Sequence, residues 1–230
     1  MGAVPGYRIV LASGSPRRRA IMTGMGLEFT VVTSGVDETL HDYDGASDFT
    51  VQVARRKALA VARSEPEALV VGCDTVVGLD GRIFVKPDSE QDAARTLREL
   101  RGRTHHVTTG VVVVHGVTGR CHGRSATTAV TMRAFGDDEI AAYVASGEPL
   151  DKAGSYAIQG AGGALVDRID GEYDTVVGLP VSVLTDLLRE FDRPDQPGRT
   201  VPGLRPPGVR PPGLRPPGLR PPGLRPPAVS

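Results

Sequence analysis

Along most of the chain, short apolar runs alternate with longer stretches in which apolar side chains recur every three or four positions. The short runs predict β-strands over residues 8–12, 29–33, 68–73, 108–114, 127–132 and 164–166. The longer stretches predict helices over residues 16–25, 47–63, 89–101, 137–146 and 180–191. Residues 104–132 indicate adjacent strands without a helix between them, so we expect an α/β fold with a mixed sheet flanked by helices.

This pattern stops at Pro194. Thirteen of the nineteen prolines in the 230-residue chain lie from there on, in a segment that contains five tandem copies of Pro-Gly-Leu/Val-Arg-Pro over residues 202–226. Proline removes backbone donors and favours extended conformations, and the segment has no core-forming periodicity. We therefore predict one folded domain over residues 1–193 and a disordered repeat tail over residues 194–230.

The formal net charge of zero conceals opposite charges on these two parts. The tail carries six arginines and one aspartate, which leaves a net charge of −5 on residues 1–193. An acidic domain that binds an anion must place positive charge locally. The low charge density of the tail favours a solvated linker over a nucleic-acid partner. Because the two cysteines form no CxxC pair and the apolar runs are of strand length, we expect a cytoplasmic protein without a disulfide or a membrane span.

The segment 13–18, with the sequence SGSPRR, links the first predicted strand to the first predicted helix. Its glycine frees the backbone, its proline suits a first helical turn, and the free amides of a helix start favour negative charge. Hydroxyl and guanidinium groups that match phosphate oxygens are those of Ser13, Ser15, Arg17 and Arg18. The segment therefore predicts a phosphate-binding loop that is not a P-loop; the alternative is an ordinary turn with serine capping.

The pentapeptide Asp-Thr-Val-Val-Gly occurs twice, at residues 74–78 and at residues 174–178. Asp74 follows a near-continuous apolar run, which is typical of a central strand covered on both faces. We expect this aspartate just past the end of that strand, where α/β sheets bind ligands. Asp174 stands in a loop before a helix. We predict a chemical role for Asp74 and a structural role for Asp174; a capping or turn role for Asp74 is the alternative.

Two lysines differ from ordinary surface residues. On the helix predicted over residues 47–63, Lys57 lies between Val53 and Val61, inside the apolar arc. An inward lysine is rarely unpaired, so Lys57 either meets a carboxylate in a structural ion pair or lines a charged cleft. Lys86 follows an extended run and precedes a proline, which holds it out of helical geometry.

Two further segments suit a metal ion and a base. Asp37 and Glu38 follow the strand predicted over residues 29–33, and Mg²⁺ prefers one or two carboxylates plus phosphate oxygens, although either residue also suits a turn. The five histidines and two cysteines form no cluster with zinc spacing. In the glycine-rich stretch 147–160, the side-chain amide of Gln159 is free to read a base edge, unless the stretch is a surface loop.

Together, these motifs resemble those of the Maf (septum formation inhibitor) family. The resemblance runs in order over about residues 8–190 and is carried by residues 13–18, 38, 57–58, 72–77, 86–87, 109–111, 151–160 and 176–180. It implies an elongated mixed sheet flanked by helices and split by a central nucleotide-binding cleft, related to the ITP pyrophosphatases. It also implies a nucleoside triphosphate pyrophosphatase that releases a nucleoside monophosphate and pyrophosphate.

The resemblance further implies a role for each matching residue. Asp74 becomes the proton acceptor that activates water and lies near a divalent cation, Mg²⁺ or Mn²⁺, with Glu38 as a second metal or water partner. The phosphate contacts are Ser13, Ser15, Arg17, Arg18, Lys57 and Lys86. The positions that set a preference for dTTP and UTP correspond to Arg17, Thr75 and Gln159, which points to pyrimidine triphosphates, including modified ones. A homodimer is implied by the family alone.

Two other functions stay open at this point. One is a regulatory nucleotide-binding protein of septum formation, with a vestigial site and a tail that recruits partners. The other is a nucleic-acid binder that acts through its tail, which predicts an affinity that falls steeply with salt. The presence of Asp74 with Lys57 and Lys86 favours the enzyme, because a binder needs no water-activating base. Thr175 departs from the family, which often has asparagine there.

Overall fold

The computed structural model describes residues 6–192. Its strands are β1 (Arg8–Leu11), β2 (Phe29–Val31), β3 (Ala68–Leu79), β4 (Arg82–Phe84), β5 (Thr104–His115), β6 (Cys121–Met132) and β7 (Val166–Asp170). Its α-helices are α1 (Pro16–Gly24), α2 (Gly45–Ala62), α3 (Glu90–Leu100), α4 (Asp137–Ala145), α5 (Tyr173–Val177) and α6 (Val181–Asp192). Short 3₁₀ helices span Glu148–Asp151, Ala153–Ser155 and Ala161–Leu165. Within this range no helix has the length and apolarity that a membrane crossing needs. The predicted disordered tail, residues 194–230, lies outside the described residues.

The strands form one mixed sheet in the order β2-β1-β3-β5-β6-β7, with β4 also paired to β3. β1 pairs in parallel with β2 and with β3, whereas β3, β4, β5, β6 and β7 pair antiparallel. β5 and β6 are adjacent and have no helix between them. The predicted α/β fold with a mixed sheet flanked by helices is therefore confirmed.

Helix α2 lies directly on the backbone of the two central strands. A Cβ atom on Gly72 of β3 would be 2.1 Å from the carbonyl oxygen of Ala54, and one on Gly110 of β5 would be 2.5 Å from the carbonyl carbon of Thr50. Because side chains alternate along a strand, this face of β3 carries Gly72, Asp74 and every second residue along the strand. The opposite face of the same strands packs against α1 and α6 at one end and against α3 and α4 at the other.

The central strand has an open stretch on one edge. β1 ends at Leu11, opposite Val71, and β4 begins its pairing opposite Val77, so residues 72–76 of β3 pair with β5 alone. Ala12 N donates to Val71 O at 2.8 Å, which shows that the backbone groups of the odd-numbered residues point toward this edge. The sheet therefore leaves a gap at the middle of β3.

Three details of the prediction are wrong, and the first is the loop expected around Asp174, where the structure has α5 (Tyr173–Val177). β3 continues to Leu79 because β5 pairs with it residue by residue, so Asp74 lies inside the strand and not past its end. The strand predicted over residues 164–166 lies further along the chain: a 3₁₀ helix reaches Leu165, and β7 begins at Val166, where pairing with Met132 of β6 starts. The gap beside β3 nevertheless leaves Asp74 at an accessible position.

Candidate active site

A cleft of about 870 Å³ opens at the gap beside β3. Its walls come from residues 12–18, residues 33–40, the inner face of α2, the middle of β3, residues 83–86 and residues 151–158. Nine of the ten predicted site residues line it: Ser13, Ser15, Arg17, Arg18, Glu38, Lys57, Asp74, Thr75 and Lys86. The tenth, Gln159, is exposed and does not line the cleft, although its neighbours Ala157 and Ile158 do.

The loop that precedes α1 has the geometry of a capped helix start. Ser15 is the N-cap residue, and its Oγ accepts a hydrogen bond from Arg18 N at 3.5 Å. Ser13 Oγ accepts from Ser15 N at 3.3 Å, and a proline occupies the first turn. That turn contains no acidic residue to neutralise the helix dipole. Serine capping, our alternative interpretation, is therefore present, and it leaves an electropositive helix start at the cleft.

Arg18 holds this loop against the sheet. Its Nη1 donates to Ser13 Oγ at 3.1 Å, its Nη2 donates to Thr75 Oγ1 at 3.1 Å, and its Nε donates to Gly178 O at 2.8 Å. The three bonds join the loop, the central strand and the end of α5. Arg18 therefore fixes the loop in addition to lining the cleft, and two of its five N–H groups stay available for a ligand.

The hydroxyl of Thr75 belongs to a directed chain of hydrogen bonds. Thr109 Oγ1 donates to Thr175 O at 2.8 Å, so its proton is committed. The contact of 2.9 Å between Thr75 Oγ1 and Thr109 Oγ1 therefore has Thr75 as the donor. Thr75 Oγ1 also accepts from Arg18, which leaves one lone pair free. Sequence analysis assigned no role to Thr109, because its partners are distant in the chain.

The opposite side of β3 carries a buried ion cluster. Lys57 Nζ lies 2.8 Å from Asp74 Oδ1 and 2.9 Å from Glu38 Oε1. Lys57 and Asp74 are each only 6% exposed, whereas the side chain of Glu38 is 46% exposed. Lys57 therefore meets both predictions at once, since it pairs with a carboxylate and lines the cleft. Among the described residues, Asp74 Oδ2 has no hydrogen-bond partner from the protein.

The pKa values of the two carboxyl groups in this cluster are shifted in opposite directions. Burial raises the pKa of Asp74 above its ordinary value, and the charges of Lys57 and Arg18 offset only part of that shift. Burial also raises the pKa of Glu38, but Lys57, Lys86 and Arg18 outweigh it, so the pKa of Glu38 lies below its ordinary value. Asp74 is therefore the better proton acceptor, and Glu38 is a fixed negative charge.

The donor set also suits a hard divalent cation. Asp74 and Glu38 direct one oxygen each to the same point, occupied by Lys57 Nζ. No group of three or more His, Cys, Asp or Glu in the described part of the chain could hold a metal ion. Mg²⁺ commonly uses one or two carboxylates and takes its remaining ligands from water and phosphate. The residues therefore fit a cation that arrives with a phosphate-bearing ligand.

Two further aspartates have structural roles. Asp37 Oδ1 accepts from Thr39 N at 2.9 Å in a local turn. Asp174 Oδ2 accepts from Val181 N at 2.7 Å and so caps the start of α6. The repeated pentapeptide thus forms a strand at its first occurrence and most of a short helix at its second.

The family model and the sequence relatives agree with this picture. The family model described as "Maf-like protein" matches residues 8–191. A dTTP/UTP pyrophosphatase from Gloeobacter violaceus is 48% identical over 186 residues, which cover 81% of this chain and 97% of that protein. A dTTP/UTP pyrophosphatase from Moorella thermoacetica is 48% identical over 184 residues, which cover 80% of this chain and 95% of that protein. The solved structure of a HAM1 protein from Coxiella burnetii is 14% identical, covers 80% of this chain and 99% of that chain, and has a TM-score of 0.43. The chain belongs to the Maf family.

Proposed function

We propose that this protein hydrolyses the anhydride bond between the α and β phosphate groups of nucleoside triphosphates, with dTTP and UTP as substrates. The products are a nucleoside monophosphate and pyrophosphate. The observation that carries the proposal is the cluster of Lys57, Asp74 and Glu38, which shares one cleft with the loop over residues 13–18. The names of the two bacterial relatives support the activity and the choice of base.

The loop over residues 13–18 binds the phosphate chain. The start of α1, Ser15 to Arg18, lines the cleft, and the helix dipole adds positive potential there. Ser13 Oγ accepts from Ser15 N and from Arg18, so its own proton is free to be donated to a phosphate oxygen. Arg17 and Lys86 add positive charge at the cleft wall, and this charge stabilises pyrophosphate as the leaving group.

Asp74 is the general base for water. Its Oδ1 is held by Lys57, while its Oδ2 is free to accept a hydrogen bond from a water molecule in the cleft. The raised pKa of Asp74 makes it a stronger base than an ordinary surface carboxylate. Attack of that water on the α phosphorus breaks the bond to the β phosphate, and the water proton passes to Asp74.

Asp74 and Glu38 would hold a divalent cation, Mg²⁺ or Mn²⁺. When bound, such an ion neutralises negative charge on the phosphate oxygens and lowers the barrier to attack. Lys57, which lies between the two carboxylates, offsets one of their two negative charges.

The base is selected near Thr75 and Arg17, with Gln159 as a third contact. The one free lone pair of Thr75 Oγ1 can only accept a hydrogen bond. An acceptor matches the N3–H group of thymine and uracil, whereas N3 of cytosine is itself an acceptor. This chemistry supports a preference for dTTP and UTP over dCTP and CTP. Homodimerisation and a cytoplasmic location stay predictions.

Pyrophosphate release from a panel of standard and modified nucleoside triphosphates, with Mg²⁺ or Mn²⁺, tests the proposal. Wild-type protein should turn over dTTP and UTP, and Asp74→Asn should lose at least about a hundredfold in rate. Asp174→Asn is the matched control, because the same pentapeptide surrounds an aspartate outside the cleft. Equal turnover by wild type and Asp74→Asn would remove Asp74 from the mechanism, and no turnover of any triphosphate by folded wild type would favour a regulatory nucleotide-binding protein.

A further inference from the structure

The segment over residues 157–162, whose first two residues line the cleft, is held by one carboxylate and one phenol. Glu148 Oε1 accepts from Tyr143 Oη at 2.9 Å and from Gly162 N at 3.2 Å, and Glu148 Oε2 accepts from Ala161 N at 3.1 Å. Tyr143 Oη in turn accepts from Ala157 N at 3.0 Å. This single pair of side chains therefore fixes both ends of the segment over residues 157–162.

The segment wraps closely around this pair. A Cβ atom on Gly160 would lie 2.4 Å from each carboxylate oxygen of Glu148, and a Cβ atom on Gly162 would lie 2.4 Å from Tyr143 Oη. Any side chain at either glycine would push Glu148 or Tyr143 out of place. The two glycines are therefore needed for the hydrogen bonds to Glu148 and Tyr143, since they let backbone N–H groups approach the oxygens that accept from them.

The carboxylate of Glu148 is a strong acceptor for these hydrogen bonds. Burial raises the pKa of Glu148, but the N–H of Gly162, the hydroxyl of Tyr143 and the N–H of Ala161 outweigh it, so that pKa lies below its ordinary value. Glu148 is therefore ionised at neutral pH and acts only as an acceptor. Hydrogen bonds to an ionised acceptor are about twice as strong as those between neutral groups.

A second anchor lies just before the segment. Tyr156, which lines the cleft, has its hydroxyl 2.8 Å from Nε2 of His105 on β5. Burial lowers the pKa of His105 to about 4, so the imidazole is neutral at neutral pH. The contact with His105 thus fixes Tyr156, the residue that precedes the segment 157–162, to the sheet.

The segment presents a surface that suits a base and not a phosphate. Ala157 and Ile158 line the cleft, Gln159 is exposed beside them, and the six residues 157–162 include no charged side chain. Phosphate is matched elsewhere, by the serines and cations of residues 13–18 and by Lys57. Neither Glu148 nor Tyr143 lines the cleft, so their effect must pass through the segment that they hold.

We propose that Glu148 and Tyr143 are positioning residues for base selection, which fix residues 157–162 in the shape that meets the pyrimidine ring. The inference rests on the proposed function and deepens it. It separates two roles within the cleft: hydrolysis belongs to the cluster around Asp74, and discrimination between bases, to which Thr75 also contributes, depends on a network that touches no reacting atom.

Tyr143→Phe is the direct test. The variant keeps the ring and removes the oxygen that joins Ala157 N to Glu148. Tyr173→Phe is the matched control, because Tyr173 is 48% exposed and lies outside the cleft. Glu148→Gln is the conservative partner variant, because it keeps one acceptor oxygen but places an amide NH₂ opposite a backbone donor.

The measurements are kcat and KM for UTP and CTP, together with amide hydrogen exchange over residues 157–162. Tyr143→Phe should speed exchange at the amide of Ala157 and lower the UTP-to-CTP ratio of kcat/KM by roughly five- to tenfold, mainly through a higher KM for UTP. Glu148→Gln should give a smaller loss, and Tyr173→Phe should leave both quantities at wild-type values. A purely structural role would lower the melting temperature and leave the ratio unchanged.

The outcomes separate this inference from the function on which it rests. Wild-type turnover of UTP with an unchanged base ratio in Tyr143→Phe and Glu148→Gln overturns the inference alone, as does unchanged amide exchange in both variants. Absence of turnover by wild-type protein overturns the proposed function and the inference with it. If Tyr143→Phe does not fold, Glu148→Gln carries the same comparison.

Discussion

Replacement of Lys57 by methionine isolates the buried ion cluster. Lys57 Nζ is the cation that contacts both Asp74 and Glu38, and Asp74 is 6% exposed. Methionine keeps much of the apolar stem of lysine but leaves Asp74 as an unpaired carboxylate in a buried site. Removal of one partner from a buried ion pair typically destabilises a protein by about 3–5 kcal/mol. Glu38 adds little to this loss because its side chain is 46% exposed.

The loss should depend on pH in a defined direction. In the wild type the folded-state pKa of Asp74 already lies above its unfolded value, and loss of Lys57 raises it further. A folded state that binds more protons than the unfolded state loses stability as pH rises through the window between those two pKa values. The destabilisation of Lys57→Met relative to wild type is therefore greatest above the raised pKa of Asp74 and shrinks as pH falls below it.

Urea unfolding over a series of pH values and thermal unfolding at neutral pH, both followed by circular dichroism, measure this effect. At about 2–4 °C per kcal/mol for a domain of this size, the melting temperature of Lys57→Met should fall by roughly 6–20 °C. The double variant Lys57→Met/Asp74→Asn removes the unpaired charge and should recover most of the loss. A single variant within about 1 kcal/mol of wild type, or a double variant no more stable than Lys57→Met, would refute the reasoning.

Three further predictions concern the loop, the sheet and the cation. Arg18→Lys should raise KM for UTP by roughly tenfold, because an ammonium cannot make the three hydrogen bonds of the guanidinium, while Arg19→Lys, at an exposed position, should match wild type in the same assay. Gly72→Ala should lower the free energy of unfolding by about 1–3 kcal/mol or more because its Cβ meets α2, while Gly24→Ala has open space and should not destabilise the protein in urea titrations. Glu38→Gln should raise the Mg²⁺ concentration for half-maximal turnover several-fold, and an unchanged Mg²⁺ titration would exclude Glu38 as a ligand.

Local signals predicted five of the six α-helices in the described part of the chain, all but the short α5, because caps and apolar periodicity act over a few residues. The structure places α4 over Asp137–Ala145, close to the predicted residues 137–146. The end of β3 could not be found in this way, because pairing with β5 decides it and the polar Asp74 and Thr75 interrupt the apolar run. The late start of β7, at Val166, has a similar cause, since Glu148 accepts from the amides of Ala161 and Gly162 in the preceding 3₁₀ helix and lies thirteen residues or more away in the chain.

Motifs also predicted most of the cleft, because each residue type carries its chemistry with it. What they could not predict is how the residues hold one another. The partners of Arg18 at Thr75 and Gly178 are 57 and 160 residues away in sequence, so only the fold brings them together. Gln159 shows the same limit of motifs: its side chain suits a base, but the structure leaves it exposed beside the cleft.

The position of the site depends on β3, which places site residues on both of its faces. Asp74 points to the face of β3 that α2 covers and meets Lys57, whereas Thr75 points to the opposite face and meets Arg18. A slip of one residue in the register of β3 would exchange these two side chains. Gly72 opposes that slip, because a side chain in its place would collide with the backbone of α2, and Gly110 constrains the register of β5 in the same way. The two glycines under α2 therefore determine which face receives the carboxylate, and a variant that enlarges either of them should disturb the chemistry as well as the core.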